Sequence, residues 1–174
     1  RVVPDHSHEL LIQVDRGAVD AAIMSEPSRI RRQFNWRPFA RESMMLICAR
    51  DEECRDPAEL LRTRPYIRMT PRAWVSEISD DLLQEIGVTI QDSMELDSLE
   101  NISKMVSHNL GVAIVPQPCV PDSISPSLAY IPLGNPPRHR NMGVLSRSDS
   151  PKFKLIDELC DALEATVARA GNPA

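Results

Sequence analysis

Three short stretches of this sequence place ligand-binding side chains where helices are about to begin. His6-Ser7-His8 opens one apolar-periodic segment, Thr70-Pro71-Arg72 precedes a second, and Asp97-Ser98 precedes a third. The unpaired N–H groups of a first helical turn carry partial positive charge, which favours carboxylates and phosphates. Arg68 and Arg72 flank the second stretch, and a guanidinium can fork onto a ligand carboxylate through two parallel bonds. Trp74 follows, as packing surface or as a platform for a ligand. The chemistry these residues offer is recognition of a small anion. Each also has a plainer use. Ser7 and Asp97 are good helix caps, and single arginines commonly face solvent.

Reaction chemistry is poorly represented. No GxSxG, P-loop or GxGxxG occurs, and Asp80-Asp81 reads as the polar face of a helix. A serine beside a histidine exists at Ser7/His8, but a nucleophile needs a third member that the sequence does not supply. His6 and His8 form an HxH pair with no third metal ligand. The cysteines, Cys48, Cys54, Cys119 and Cys160, form no CxxC. Cys48 and Cys160 lie in apolar patterns and read as small core residues, leaving Cys54 as the exposed thiol. A redox pair of Cys48 with Cys54 is the thiol alternative. No catalytic residue, metal or cofactor is expected, and reduced thiols without a secretory pattern point to the cytoplasm.

The chain of 174 residues carries a net charge of −5, with 42% hydrophobic and 26% charged residues, an ordinary soluble composition able to bury a core. No apolar run approaches the roughly 20 residues that span a bilayer. The densest basic segment, Arg29-Ile30-Arg31-Arg32 with Arg37 and Arg41 beyond it, lacks interleaved aromatics and a helix-turn-helix pattern. It reads as a solvated loop, and this piece is expected not to touch DNA itself.

The elements that must position these groups alternate between strands and helices. Ser7 caps a helix carrying Leu10, Leu11 and Val14, stopped at Gly17; Val19–Met24 follows as a buried strand. Trp36–Ala40 and Ser43–Ala49 read as two strands. Asp56-Pro57-Ala58-Glu59 starts a short helix. Pro65–Met69 is a strand, Trp74–Ile86 a helix ended by Gly87, and Val88–Leu96 a strand. Asp97 and Glu100 have the spacing of a reciprocal capping box for the next helix, with Leu99, Ile102, Met105 and Val106 on its buried side. Asn109 and Gly111 supply positive φ at its end. Val112–Val115 is then a strand buried on both faces, which predicts a parallel sheet. Prolines dominate from Pro116 to Pro137, with short strands at Leu128–Ile131 and Asn141–Ser146. A final helix buries Phe153, Ile156, Cys160, Leu163 and Val167. Arg1-Val2-Val3 reads as the middle of a strand, so we take the sequence as a fragment of a longer protein.

At VDRGAVDAAI, RPFARESMMLICAR, DPAELL and ELDSLENISKMVSHNLGVAIVP, in that order, the sequence resembles the effector-binding domain of LysR-type transcriptional regulators. The resemblance implies an α/β fold like that of type 2 periplasmic binding proteins, two Rossmann-like lobes joined by crossing strands. In that reading 1–48 with 119–174 form lobe I and 49–118 lobe II, with crossovers near Ser43–Ala49 and Val112–Pro116. The family's DNA-binding winged helix-turn-helix, linker helix, first strand and first helix have no counterpart here. The resemblance sets Ser7 on one wall of a cleft and the Thr70–Trp74 turn, with Thr70, Arg72 and Trp74, on the opposing wall. Arg68 or Arg72 would then fork onto a ligand carboxylate, and His8 and Ser98, beside helix starts, complete the expected binding set. Partners implied are a small-molecule effector, a second copy or more of the chain, and DNA only through the N-terminal module; no membrane is implied. The alternative on the same fold is a solute-binding protein of a transport system.

Overall fold

The structure, a computed structural model, describes residues 1–71, 73–90 and 92–170. Helices α1 (Ser7–Asp15), α2 (Pro57–Thr63), α3 (Trp74–Ile86), α4 (Leu99–Ser107) and α5 (Phe153–Ala170) alternate with strands. These are β1 (Ala21–Ser25), β2 (Phe34–Ala49), β3 (Tyr66–Met69), β4 (Asp92–Leu96), β5 (Ala113–Pro116), β6 (Leu128–Pro132) and β7 (His139–Arg147). The chain divides into two compact units, Arg1–Glu42 with Arg140–Ala174, and Ser43–His139. The lobes read from sequence divide instead at 48/49 and 118/119. The segment 119–139 falls in the second unit because β6 pairs along Met45–Ala49 of β2.

In the first unit β1 pairs antiparallel with β7, from Ala21 opposite Ser146 to Ser25 opposite Met142. Period-two alternation buries Ala22 and Met24, while Ile23 between them stays 44% exposed. The other edge of β1 pairs with no strand among the described residues, and its five residues, AAIMS, carry no charge. On one face of this sheet α1 packs against β1 and buries Val14 fully. Helix α5 lays Ile156 and Cys160 on Val144, with Ala21, Phe39 and Leu163 around them. Arg37 fixes the helix from the side: its Nη2 and Nε reach Asp161 at 2.5 Å and Glu164 at 2.9 Å. Phe153, expected on the buried stripe, is 58% exposed at the first position of α5, about a turn ahead of the first buried residue, Ile156. Arg1–Val3, read as the middle of a strand, forms no strand either.

The second unit holds the main core. Its part of β2 pairs antiparallel with β5 (Met44 opposite Pro116 to Ile47 opposite Ala113) and with β6 (Met45 opposite Pro132 to Ala49 opposite Leu128). Strands β3 and β4 run parallel, and a parallel bridge joins Tyr66 to Val112. The parallel sheet expected from Val112–Val115 is therefore confined to β3, β4 and that bridge. The run is unbroken because β5 sits between β2 and the β3 edge with helices over it, not because all its neighbours are parallel. Leu60, Leu61, Leu82, Ile102 and Val106 come from the helices to meet Leu46, Ile47, Ile67 and Ile114. Gly87, at φ 69°, ends α3 in the left-handed conformation, as its position predicts. The two strands expected at Trp36–Ala40 and Ser43–Ala49 are one strand of 16 residues. Strand β4 begins only at Asp92, with Val88–Ile90 in irregular backbone and Gln91 outside the described residues.

Candidate functional site

Parallel strands β3 and β4 end together, Met69 opposite Leu96, and each chain continues directly toward a helix N-terminus. Open α/β sheets hold ligands outside the carboxyl ends of their parallel strands, which makes these strand ends the candidate site. Thr70 extends the pairing one residue further, its N–H donating to the Leu96 carbonyl at 2.8 Å, and its own carbonyl accepts from the Ala73 N–H at 3.0 Å. The turn is pinned at both sides, so the start of α3 at Trp74 is fixed against the end of β4. Trp74 itself is half-buried in the first position of α3.

Helix α4 starts one residue later than its sequence pattern suggests. Ser98, not Asp97, is the cap, its Oγ accepting from the Asn101 N–H at 3.4 Å. Glu100 does not reach back to close a capping box; it accepts from Lys104 Nζ at 2.8 Å, four residues on. A lysine at that spacing competes for the carboxylate. Asn109 adopts φ 59°, as expected, but Gly111 is needed for a different reason: a Cβ there would strike the Pro65 carbonyl oxygen where the chain meets β3.

Arg68 does not project freely from β3. Its guanidinium bonds Asp80 of α3 and lies over the Tyr66 ring, 5.8 Å from the centroid. Asp80 thus serves as an ion-pair partner rather than only as helix surface. Arg72 lies outside the described residues. Thr70, Trp74, Ser98 and the Arg68–Asp80 pair are gathered at one side of the second unit, on β3, β4 and the helices that follow them.

Ser7 and His8 belong to the first unit. Ser7 is the first residue of α1 and half-buried, and His8 is exposed; neither side chain bonds to any described residue. The cap position falls on His6, whose side chain makes no capping bond; Asp5 instead accepts from the His6 N–H and from Gln13 Nε2, each at 2.9 Å. Ser7 was expected to cap this helix, and Asp5 holds the entering chain in its place.

Two polar contacts escaped the sequence reading. Arg140 Nε donates to Glu42 Oε2 at 2.7 Å, with Glu42 only 6% exposed. One residue along each strand, Ser43 Oγ and His139 Nδ1 are 3.2 Å apart. The run Ala40-Arg41-Glu42-Ser43 looks like a break between strands; a charge inside a long strand was the available signal. All four cysteines are free thiols. Cys48 is buried and accepts from Arg55 Nη1 at 3.1 Å, yet burial outweighs that cation and pushes its thiol up. Among the described residues no three His, Cys, Asp or Glu side chains assemble into a metal site. No helix there is long and apolar enough to cross a membrane.

Comparison with known proteins agrees with this architecture. The regulatory domain of OxyR from Pseudomonas aeruginosa, in its reduced form, superposes with a TM-score of 0.72 at 22% identity, covering 93% of this chain and 78% of that one. The effector binding domain of QuiR, in complex with shikimate, superposes with a TM-score of 0.72 at 15% identity, covering 90% and 77%. Both share the periplasmic-binding-protein-like fold. In sequence, the DNA-binding transcriptional dual regulator OxyR of Escherichia coli K12 is 24% identical over 165 residues, 91% of this chain and 53% of that protein. The chain thus spans about half the length of the curated relatives it matches. A family model of the LysR substrate binding domain matches residues 1–168, nearly every element described above, and the chain belongs to that family.

Proposed function

We propose that this chain is the effector-sensing and oligomerisation domain of a bacterial LysR-type transcription regulator working in the cytoplasm. A small anionic metabolite binds between the two lobes and regulates transcription through a DNA-binding module elsewhere in the full protein. The observation that carries this reading is the convergence of Thr70, Ser98 and the starts of α3 and α4 at the ends of parallel β3 and β4. We assign the ligand's carboxylate to Arg72, because Arg68 is held by Asp80, and count Ser7, with His8 beside it, among the ligand-binding residues of the first lobe. The effector makes and breaks no bond. It acts only by binding one arrangement of the lobes more tightly than another, in a dimer or tetramer.

A thermal-shift screen of small hydroxy acids, shikimate among them, tests this. An effector at about a hundred times its Kd adds about 2.7 kcal/mol of stability, a shift of about 5 to 10 °C for a domain of this size. Ser7→Ala and Arg72→Ala each diminish that shift; if both keep it in full, the ligand sits elsewhere.

A further inference from the structure

The segment between β1 and β2 was read above as a solvated loop, but its structure is more specific than that. Pro27 and Phe34 are buried and bracket six exposed residues, 28–33. Both ends are tied down. The Glu26 N–H donates to the Asn141 carbonyl at 2.9 Å, the Phe34 N–H to the Arg31 carbonyl at 3.0 Å, and the Ser148 N–H to the Gln33 carbonyl at 2.8 Å. A loop held this way has a set backbone path, so its side chains project from defined positions rather than from a loose tail.

Three of the six exposed residues are Arg29, Arg31 and Arg32, and none of these guanidiniums bonds to a described residue. Carboxylates are at hand but engaged with neutral amides: Glu26 accepts from Asn141 Nδ2 at 2.5 Å and Asp15 from Gln33 Nε2 at 3.3 Å. Three other arginines of the same unit are matched with acids, Arg37 with Asp161 and Glu164, Arg140 with Glu42, Arg147 with Asp149. Arg16 and Arg41 of the same unit also lack an acid partner among the described residues, but at 29–32 three such guanidiniums fall within four positions of a chain of net charge −5. The field of such a cluster acts over roughly one Debye length, about 8 to 10 Å, so the chain's overall acidity does not cancel it at contact distance.

We propose that Arg29, Arg31 and Arg32 form a contact surface for the phosphate backbone of duplex DNA. Guanidinium forks match phosphate oxygens in pairs, and a row of fixed cations opposite a regularly charged polymer releases counterions on binding. Ile30, at 40% exposure, lies within the array and brings no base-reading group, so the contact carries no sequence preference. It goes beyond the effector reading and does not depend on it.

Fluorescence anisotropy of a short labelled duplex with the 174-residue chain tests it. Three phosphate contacts give a slope of about −2.7 in log K against log salt, so affinity falls about forty-fold between about 50 and about 200 mM salt. R29Q/R31Q/R32Q is expected to abolish that dependence and most of the binding, whereas R50Q/R62Q/K154Q, which removes equal charge from other exposed positions, leaves both nearly intact. Circular dichroism establishes that each variant is folded, and a single R31E replaces the triple should it not fold. The proposal is overturned if the unaltered chain does not bind at low salt, if the control triple weakens binding as much, or if an acidic peptide of equal charge displaces the duplex and binds more tightly.

Discussion

Arg140 and Glu42 form an ion pair at 2.7 Å on the two long strands β7 and β2, with Glu42 almost wholly removed from solvent and Arg140 15% exposed. Taking one partner away leaves the other charge in a poorly hydrated place. Glu42→Ala should therefore lower the unfolding free energy by about 3 kcal/mol, read by urea denaturation, whereas Glu42→Leu with Arg140→Met should recover most of that loss. A single substitution costing nothing would mean that water reaches the pair freely.

The cap of α4 separates two neighbours cleanly. Ser98→Ala removes the bond to the Asn101 N–H and should cost about 1 kcal/mol, while Asp97→Ala, outside the helix and uncapped, should stay within about 0.5 kcal/mol of the parent. Thermal melts of the two variants side by side distinguish this arrangement from a capping box, in which Asp97 would be the costlier loss.

Burial raises the thiols of Cys48 and Cys160 above their ordinary value of 9.0. The folded chain then holds these protons more tightly than the unfolded one. Their contribution to stability is fully present below the unfolded value, and it is lost as pH rises from about 9 through the higher folded values. Alkylation at neutral pH, followed by mass analysis, should mark Cys54 well before Cys48 or Cys160, which become reactive on unfolding. Rapid native labelling of Cys48 would contradict its burial and revive the pairing with Cys54.

Gly111 tolerates no side chain. Its missing Cβ leaves room for the Pro65 carbonyl, the same carbonyl that accepts from the Val112 N–H at 2.9 Å. Gly111→Ala pushes β3 away from the start of β5, and because a backbone atom is the obstacle it should destabilise by about 2 to 3 kcal/mol. A Gly87→Ala control, where a Cβ has open space but φ is positive, should cost about 1 kcal/mol.

Helix positions were legible because their signals are local. Pro57 after Asp56 and Gly87 after Ile86 mark boundaries that the structure reproduces, with Asp56 accepting from the Ala58 and Glu59 N–H groups. Strand continuity was not legible: Arg41-Glu42 looks like a turn until Arg140 from β7 supplies the partner that lets a carboxylate stay inside a strand. The same limit applied to Arg68, whose neutralisation by Asp80 joins positions twelve residues apart. Ser98 for Asp97, and Asp5 in place of Ser7, show that a capping pattern names a neighbourhood while tertiary pairing picks the residue. Spacing likewise found Gly111 but assigned it to ending the helix through positive φ, when a neighbouring backbone was the reason for it.

Among the described residues strand β1 has one strand partner, on the β7 side; it carries no lysine or proline, and its Ile23 is open to water. A bare row of amides and carbonyls of that kind is a template for any strand that drifts past. In concentrated solution this 174-residue stretch should therefore tend to self-associate edge to edge. A lysine in place of Ile23 is the simplest way to keep it dispersed.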